Sequence, residues 1–453
     1  MNRSQGCGMY PVSWAVLLFL ACPGCGEPRG VREERAAAAL EGKAYGPPRP
    51  QRGLPALSEP LAVDALLQHA FLGNASLEAD YHLWRQALER VSPAGSWEQP
   101  QLSFKYLTSS GKMRAWDRTT LELSQTIPLA GKPGLKKDAA FAEAMAARRR
   151  FENAKFLLQE RVLAASADYS YLGESMAVQS EKLRLLQDVM ELAAVRVKVG
   201  LGRQEDLLKA QVEVEAAENE LRMLQVRKPA QGAALNALLG REAALPLPFP
   251  APELMEPVSI SDPDLIRLAA ERNPELAAMA EEVRGRKDAL AYARRAWVPD
   301  ITLGYEVMGD LEASLTGMLM LPFRGGRIRA AVREARSATA EAESRRRGVG
   351  DDLQARIVIA LAMLRDADRQ ISLYTGSILP RMEQALAASI AGYGAAGEGG
   401  FLDVLEFQRT LLEVRLARAS AVSGRAKALA ELEAALGMDH GTWQKWENKE
   451  KTP

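Results

Sequence analysis

Cysteine is absent after residue 25 of this 453-residue chain; the three that exist are Cys7, Cys22 and Cys25. The rest of the chain can therefore hold neither a disulfide framework nor a thiolate metal site. Net charge is absent too, with 58 basic residues against 58 acidic ones, so nothing points to a nucleic-acid-binding surface. Aromatic residues are only 6%, while Ala, Leu, Glu and Arg are abundant, a balance that favours long helices over a globular α/β core. The histidines His69, His82 and His440 are scattered without ligand spacing. Beyond the N-terminus no run reaches about 18 apolar residues, which excludes a membrane-spanning helix there. Gly325-Gly326-Arg327 is not a phosphate loop, since no Gly-Lys-Ser/Thr follows. No catalytic dyad or triad appears, and neither an enzyme nor a cofactor is expected.

What is present begins with an export signal. Arg3 gives a thin positive region, and Pro11 to Ala21 is an apolar run too short to span a bilayer. It ends Phe19-Leu20-Ala21-Cys22, close to a bacterial lipoprotein signal, so residues 1–21 read as a signal and Cys22 as the lipidated residue. Residues 22–60 are rich in Gly, Pro, Arg and Ala and read as an extended segment without its own core. An exported chain without a spanning helix is either soluble or held in a membrane by a β-barrel.

The rest is a tandem duplication. Gly200 and Gly397, Asp206 and Asp403, Gln211 and Gln408, and Gly240 and Gly437 are each 197 residues apart. Repeat 1 covers 61–242 and repeat 2 covers 261–438, joined by a Pro-rich linker at 243–260 and followed by a polar tail at 439–453. Each repeat gives two short helices broken at Gly73-Asn74 or Asn273-Pro274, then alternating apolar and polar residues, then a long helical pattern that reverses at glycines. The alternation predicts β-hairpins at about 101–127 and about 300–321. The reversals, or tips, fall at 200–205 and 394–400. From Gly134 to Val199 the helix would be a rod of about 100 Å, too long for a globular core, so it must lie along other helices. Pro380 is expected to kink its counterpart in repeat 2.

Each hairpin has one apolar face, bearing Ile301, Leu303, Tyr305, Leu315 and Leu319, and one polar or small face, bearing Thr302, Glu306, Lys105 and Glu122. Four strands cannot close around a usable lumen, but the strands of several identical subunits can, with apolar faces toward lipid. The fold class is mainly α with a small β part: a tandem-repeat, long-helix α-barrel plus two β-hairpins contributing to a β-barrel shared by several subunits, which the resemblance named next makes trimeric and places in the outer membrane.

The element order, given twice, resembles the TolC-like outer membrane efflux protein family. So do Gly397 to Gln408 (Gly-x-x-x-Phe-Leu-Asp-Val-Leu-x-x-Gln), Asn273-Pro-Glu-Leu276, Trp297-Val-Pro-Asp-Ile301, Leu432-Glu-Ala-Ala-Leu-Gly437 and Val199-Gly200-Leu201. The resemblance covers about residues 60 to 438. It implies a homotrimer forming one continuous channel through the outer membrane lipid and the periplasm. That channel would conduct passively from a periplasmic adaptor and an inner-membrane pump. Gly200, Leu201 and Gly397 would stand at the adaptor-docking tips. Asp403 and Glu406, three apart on one helical face, would narrow the pore as stacked acidic rings, with Asp206 as the first-repeat counterpart and more simply a helix-start residue. The family's tyrosine stands three residues before the tip glycine; Tyr393 stands four before Gly397 and is given no gate role. The rival readings are a periplasmic coiled-coil adaptor, which should have one helical hairpin and a compact β domain, and a structural scaffold, which needs neither amphipathic strands nor an export signal.

Overall fold

In the computed structural model, residues 29–48, 51–108, 115–250, 261–309, 312–323, 325–395 and 401–439 are described. Cys22, Gly397 and nearly all of the polar tail lie outside them. In chain order the elements are α1 (Arg29–Tyr45), α2 (Val63–Gly73), α3 (Ala75–Ala94), β1 (Gln101–Tyr106), β2 (Thr119–Ile127), α4 (Lys132–Lys198), α5 (Gln204–Leu239), α6 (Asp262–Arg272), α7 (Pro274–Arg294), β3 (Ile301–Met308), β4 (Glu312–Leu319), α8 (Gly325–Leu373), α9 (Leu379–Ala395) and α10 (Phe401–Leu436). They fall into two compact units. One gathers residues up to Gly42, His82–Arg148 and Ala277–Arg347; the other gathers Lys43–Tyr81, Arg149–Leu276 and Gly348 onward.

The first unit holds a four-stranded antiparallel sheet in the order β1-β2-β3-β4. The two hairpins do not stand apart: β2 pairs with β3, placing Leu123 opposite Tyr305 and Ile127 opposite Ile301. Register therefore carries one face across both repeats. Leu102 meets Leu123, Tyr305 and Leu315 in one row, and Phe104 meets Leu121, Val307 and Ala313 in the next. The opposite face carries Ser103, Glu122, Glu306 and Ser314 in one row. Among the described residues the apolar face is open, with Leu102 72% and Leu315 77% exposed. In water such a face is an association hazard.

The turn from the sheet into α4 is pinned. Ala130 and Gly131 both take positive φ. Arg295 donates to Ala130 O at 2.7 Å, and Lys132 donates to Asp300 at 2.9 Å and to Val298 O at 2.6 Å. Gly325, opening α8, lies so close to Trp297 that a Cβ would stand 2.7 Å from the indole.

The expectation of an extended segment over 22–60 needs correction. Arg29–Tyr45 is a helix, whose Val31 and Ala38 are buried in the first unit. Its Ala-rich sequence favours helix, and Val31, Ala38 and Tyr45 recur every seven residues to give a narrow packing seam. Arg148 donates to Glu34 at 2.6 Å and Arg35 to Glu89 at 2.9 Å, fastening the helix further. Composition pointed elsewhere because every Pro and most of the Gly of this stretch lie outside the helix, on either side of it.

The second unit shows the duplication as geometry. Asn74 Oδ1 accepts from Ser76 N and Leu77 N, while its Nδ2 donates to Leu238 O at 2.9 Å. Asn273 repeats every bond: Oδ1 accepts from Glu275 N and Leu276 N, and Nδ2 donates to Ala435 O at 2.8 Å. Leu238 and Ala435 are themselves 197 residues apart. Each asparagine thus caps one helix and ties it to the end of the helix that returns from the tip. Both returning helices stop at a glycine of positive φ, Gly240 or Gly437. Near Pro380 the chain widens into a π-helical stretch at Tyr374–Ile378, a local adjustment suited to a residue that cannot supply its backbone hydrogen bond.

Candidate functional site: the helix reversals and the acids beside them

At the first reversal, α4 ends in a Schellman arrangement. Gly200 N–H donates to Val197 O at 3.2 Å and Leu201 N–H to Arg196 O at 2.9 Å. Gly200 takes φ +68°, and a Cβ there would meet nothing within 4 Å, so conformation alone selects glycine. Gly202 is selected by space: a Cβ would lie 2.9 Å from Arg196 Cβ and from Val197 N. Sequence reasoning singled out Gly200 and passed over Gly202, although the Gly-x-Gly pattern was visible. Gly202→Val is expected to loosen the reversal by about 1–3 kcal/mol, speeding amide exchange at Leu201 and Gly202 by roughly tenfold or more. Unchanged exchange would mean the close approach has no weight.

Leu201 is 74% exposed and Val199 60%, an apolar tip facing outward. Arg203 precedes the first residue of α5 and makes no side-chain cap. Glu205 and Asp206 occupy the first turn, where carboxylates suit the free N–H groups. Glu205 accepts from Lys209 at 2.6 Å, and that bond holds its carboxyl below the usual range. Asp206 is half-exposed.

At the second reversal, α9 runs to Ala395 and α10 begins at Phe401. Tyr393 lies in the last turn of α9. Asp403 occupies the third position of α10, as Asp206 does in α5. Asp403 and Glu406 are both exposed, while their neighbours Val404 and Gln408 are buried. The helix thus turns its apolar residues toward its partners.

Those partners belong to both repeats. Val404 and Leu411 of α10 pack with Leu379 and Leu386 of α9, Val189 of α4 and Ala210 of α5. Leu186, Val214 and Ala217 extend the contact between α4 and α5. Gln408 reaches Lys182 O on α4 at 3.5 Å, whereas Gln211, its counterpart, is exposed. Arg415 of α10 donates to Glu181 of α4 at 2.5 Å and to Glu383 of α9 at 3.1 Å. Apolar contacts and one forked guanidinium therefore join the two helical hairpins just beyond the acids. Among the described residues no group of His, Cys, Asp and Glu is arranged to hold a metal ion, and no helix is long and apolar enough to cross a membrane.

Comparison with known proteins agrees with this architecture. The sequence pattern of the family described as outer membrane efflux protein matches residues 66–241 and 265–438. The cobalt-zinc-cadmium resistance protein CzcC of Cupriavidus metallidurans is 25% identical over 397 residues, covering 83% of this chain and 90% of that protein. The crystal structure of the outer membrane protein VceC from Vibrio cholerae superposes with a TM-score of 0.71 at 20% identity, covering 83% of this chain and 96% of that one. A membrane protein from Pseudomonas aeruginosa gives a TM-score of 0.72 at 22% identity, covering 83% and 90%.

Proposed function

Because the chain belongs to the outer membrane efflux protein family, and so is the exit duct of a tripartite efflux system in a Gram-negative outer membrane, we propose that it works as a homotrimer whose tips dock a periplasmic adaptor and whose second tip carries the pore's acidic constriction. The observation that carries the oligomer is the sheet. Among the described residues it has two open edges, β1 and β4, and an uncovered apolar face. About eight strands enclose only a side-chain-filled interior. Three copies bring twelve, enough for a lumen, and closure leaves no unpaired edge in lipid. The face of Leu102, Leu123, Tyr305 and Leu315 then meets lipid and the face with Ser103, Glu122, Glu306 and Ser314 meets water.

The constriction rests on Asp403 and Glu406, exposed one turn apart beside a packed four-helix contact. Three copies turn each into a ring, which favours cations by electrostatics. A cationic cargo fits both this charge and the metal resistance in the relative's name. Leu201 and Val199 give the first tip an apolar surface for the adaptor, which couples the duct to an inner-membrane pump. Residues 1–21 serve as the export signal, and Cys22 as a lipid anchor.

The test is single-channel recording of the purified protein in planar bilayers. Asp403→Asn with Glu406→Gln is expected to lower the cation-over-anion permeability ratio severalfold and to change conductance. An unchanged ratio removes the rings from the account, leaving the acids as helix-start residues.

A further inference from the structure

In the second unit α4 and α10 run antiparallel: Gln159 donates to Glu433 at 2.9 Å, and further along α4 Glu181 accepts from Arg415. Between these two ties the helices part around a cavity of about 110 Å³. Its walls are mostly small or apolar, with Leu163 and Ala167 on α4 and Val422, Ala426 and Leu429 on α10. One water needs about 10–15 Å³, so several would fit, but each also needs two to four polar partners that such walls do not supply. Apolar cavities of roughly 150 Å³ take up a benzene ring instead. The space suits one ring.

The polar side chains narrow the choice of ring. Ser423 lines the cavity and is 8% exposed, and among the described residues its Oγ has no hydrogen-bond partner. A buried hydroxyl left so is costly. It can donate one bond and accept others, and a second hydroxyl answers it in either role. The charges in the lining do not call for a charged guest. Glu433 already accepts from Gln159, and Arg425 already donates to Asp368. Because the helices are antiparallel, Glu174 and Arg418 stand together at the end nearer the tips, where their charges offset each other. A neutral ring that carries one hydroxyl meets all three conditions of size, polarity and charge.

We infer that this cavity is a binding site for a small neutral phenol. The ring lies between Ala167 and Leu163 of α4 and Val422 and Ala426 of α10, and the phenolic hydroxyl bonds to Ser423 Oγ. A guest so placed touches both repeats at once and holds their two helices at a fixed spacing. This goes beyond the channel reading and does not depend on it.

The chain after residue 25 has no cysteine, so a single new thiol can report on the cavity in the purified, full-length protein. Ala167→Cys is labelled with a methanethiosulfonate reagent, and the rate is read by mass spectrometry of the peptide that carries residue 167. Phenol is expected to slow labelling severalfold at concentrations that leave Leu201→Cys, at the exposed first tip, unaffected. Toluene has nearly the same shape without the hydroxyl, and should need about fivefold more for the same protection. Adding Ser423→Ala should weaken protection by phenol about fivefold and leave that by toluene unchanged. No protection by phenol would overturn the inference, and so would equal slowing at Leu201→Cys. Equal protection by phenol and toluene, indifferent to Ser423→Ala, would overturn the assignment to a phenol.

Discussion

Asn273→Ala is expected to destabilise the chain by about 2–4 kcal/mol, out of proportion to the atoms removed. The side chain is 4% exposed and makes three hydrogen bonds. Its Oδ1 satisfies two free N–H groups at the start of α7, worth about 0.5–2 kcal/mol. Its Nδ2 is the donor to Ala435 O, and a buried polar group stripped of its partner costs about 1–3 kcal/mol. Asn74→Ala removes the same three bonds in the first repeat and serves as an internal replicate. Asn273→Asp keeps the acceptor and loses the donor, so it should fall between. Denaturation followed by helical circular dichroism reads all three. If Asn273→Ala behaved like a substitution at exposed Glu271, the tie between the helix break and the returning helix would carry no weight.

Leu315→Arg is expected to cost about 2–4 kcal/mol in the membrane and to deplete the protein from the outer-membrane fraction. Leu315 is the fourth of eight residues in β4, and it shares its row with Tyr305, Leu123 and Leu102. A guanidinium there would sit in hydrocarbon. Ser314→Arg, one residue away, points to the other face and should assemble normally. The two readings of the sheet predict opposite results. In a water-exposed sheet Leu315 is simply a surface residue, and its replacement by arginine should be neutral, within about 0.5 kcal/mol.

Much of this was legible in the sequence because it depends on local chemistry. Period-two alternation points to the strands, and Gly200 marks the first reversal, while Gly397 lies outside the described residues. Tertiary pairing was not legible in the same way. Nothing local says that β2 pairs with β3, yet that pairing makes one face out of two hairpins. Asn273 was visible as a break, but its bond to Ala435 O closes across 162 residues. Gly202 has no local signal that demands glycine: the reversal itself brings Arg196 and Val197 against it. Helix α1 was hidden by the glycines and prolines on either side of an Ala-rich core. Of Asp403 and Glu406 the chain shows exposure on one face of α10, and the constriction proposed for them requires other copies.

The most direct test of the account is therefore whether three copies close one sheet. Ser103→Cys on β1, paired in turn with Ser314→Cys, Thr316→Cys and Met318→Cys on β4, places a thiol on each open edge of the same face. After oxidation in intact outer membranes, the account predicts that at least one pair gives dimers and trimers on a non-reducing gel, with the ladder stopping at three. Monomers only, or a ladder running past three, would contradict it.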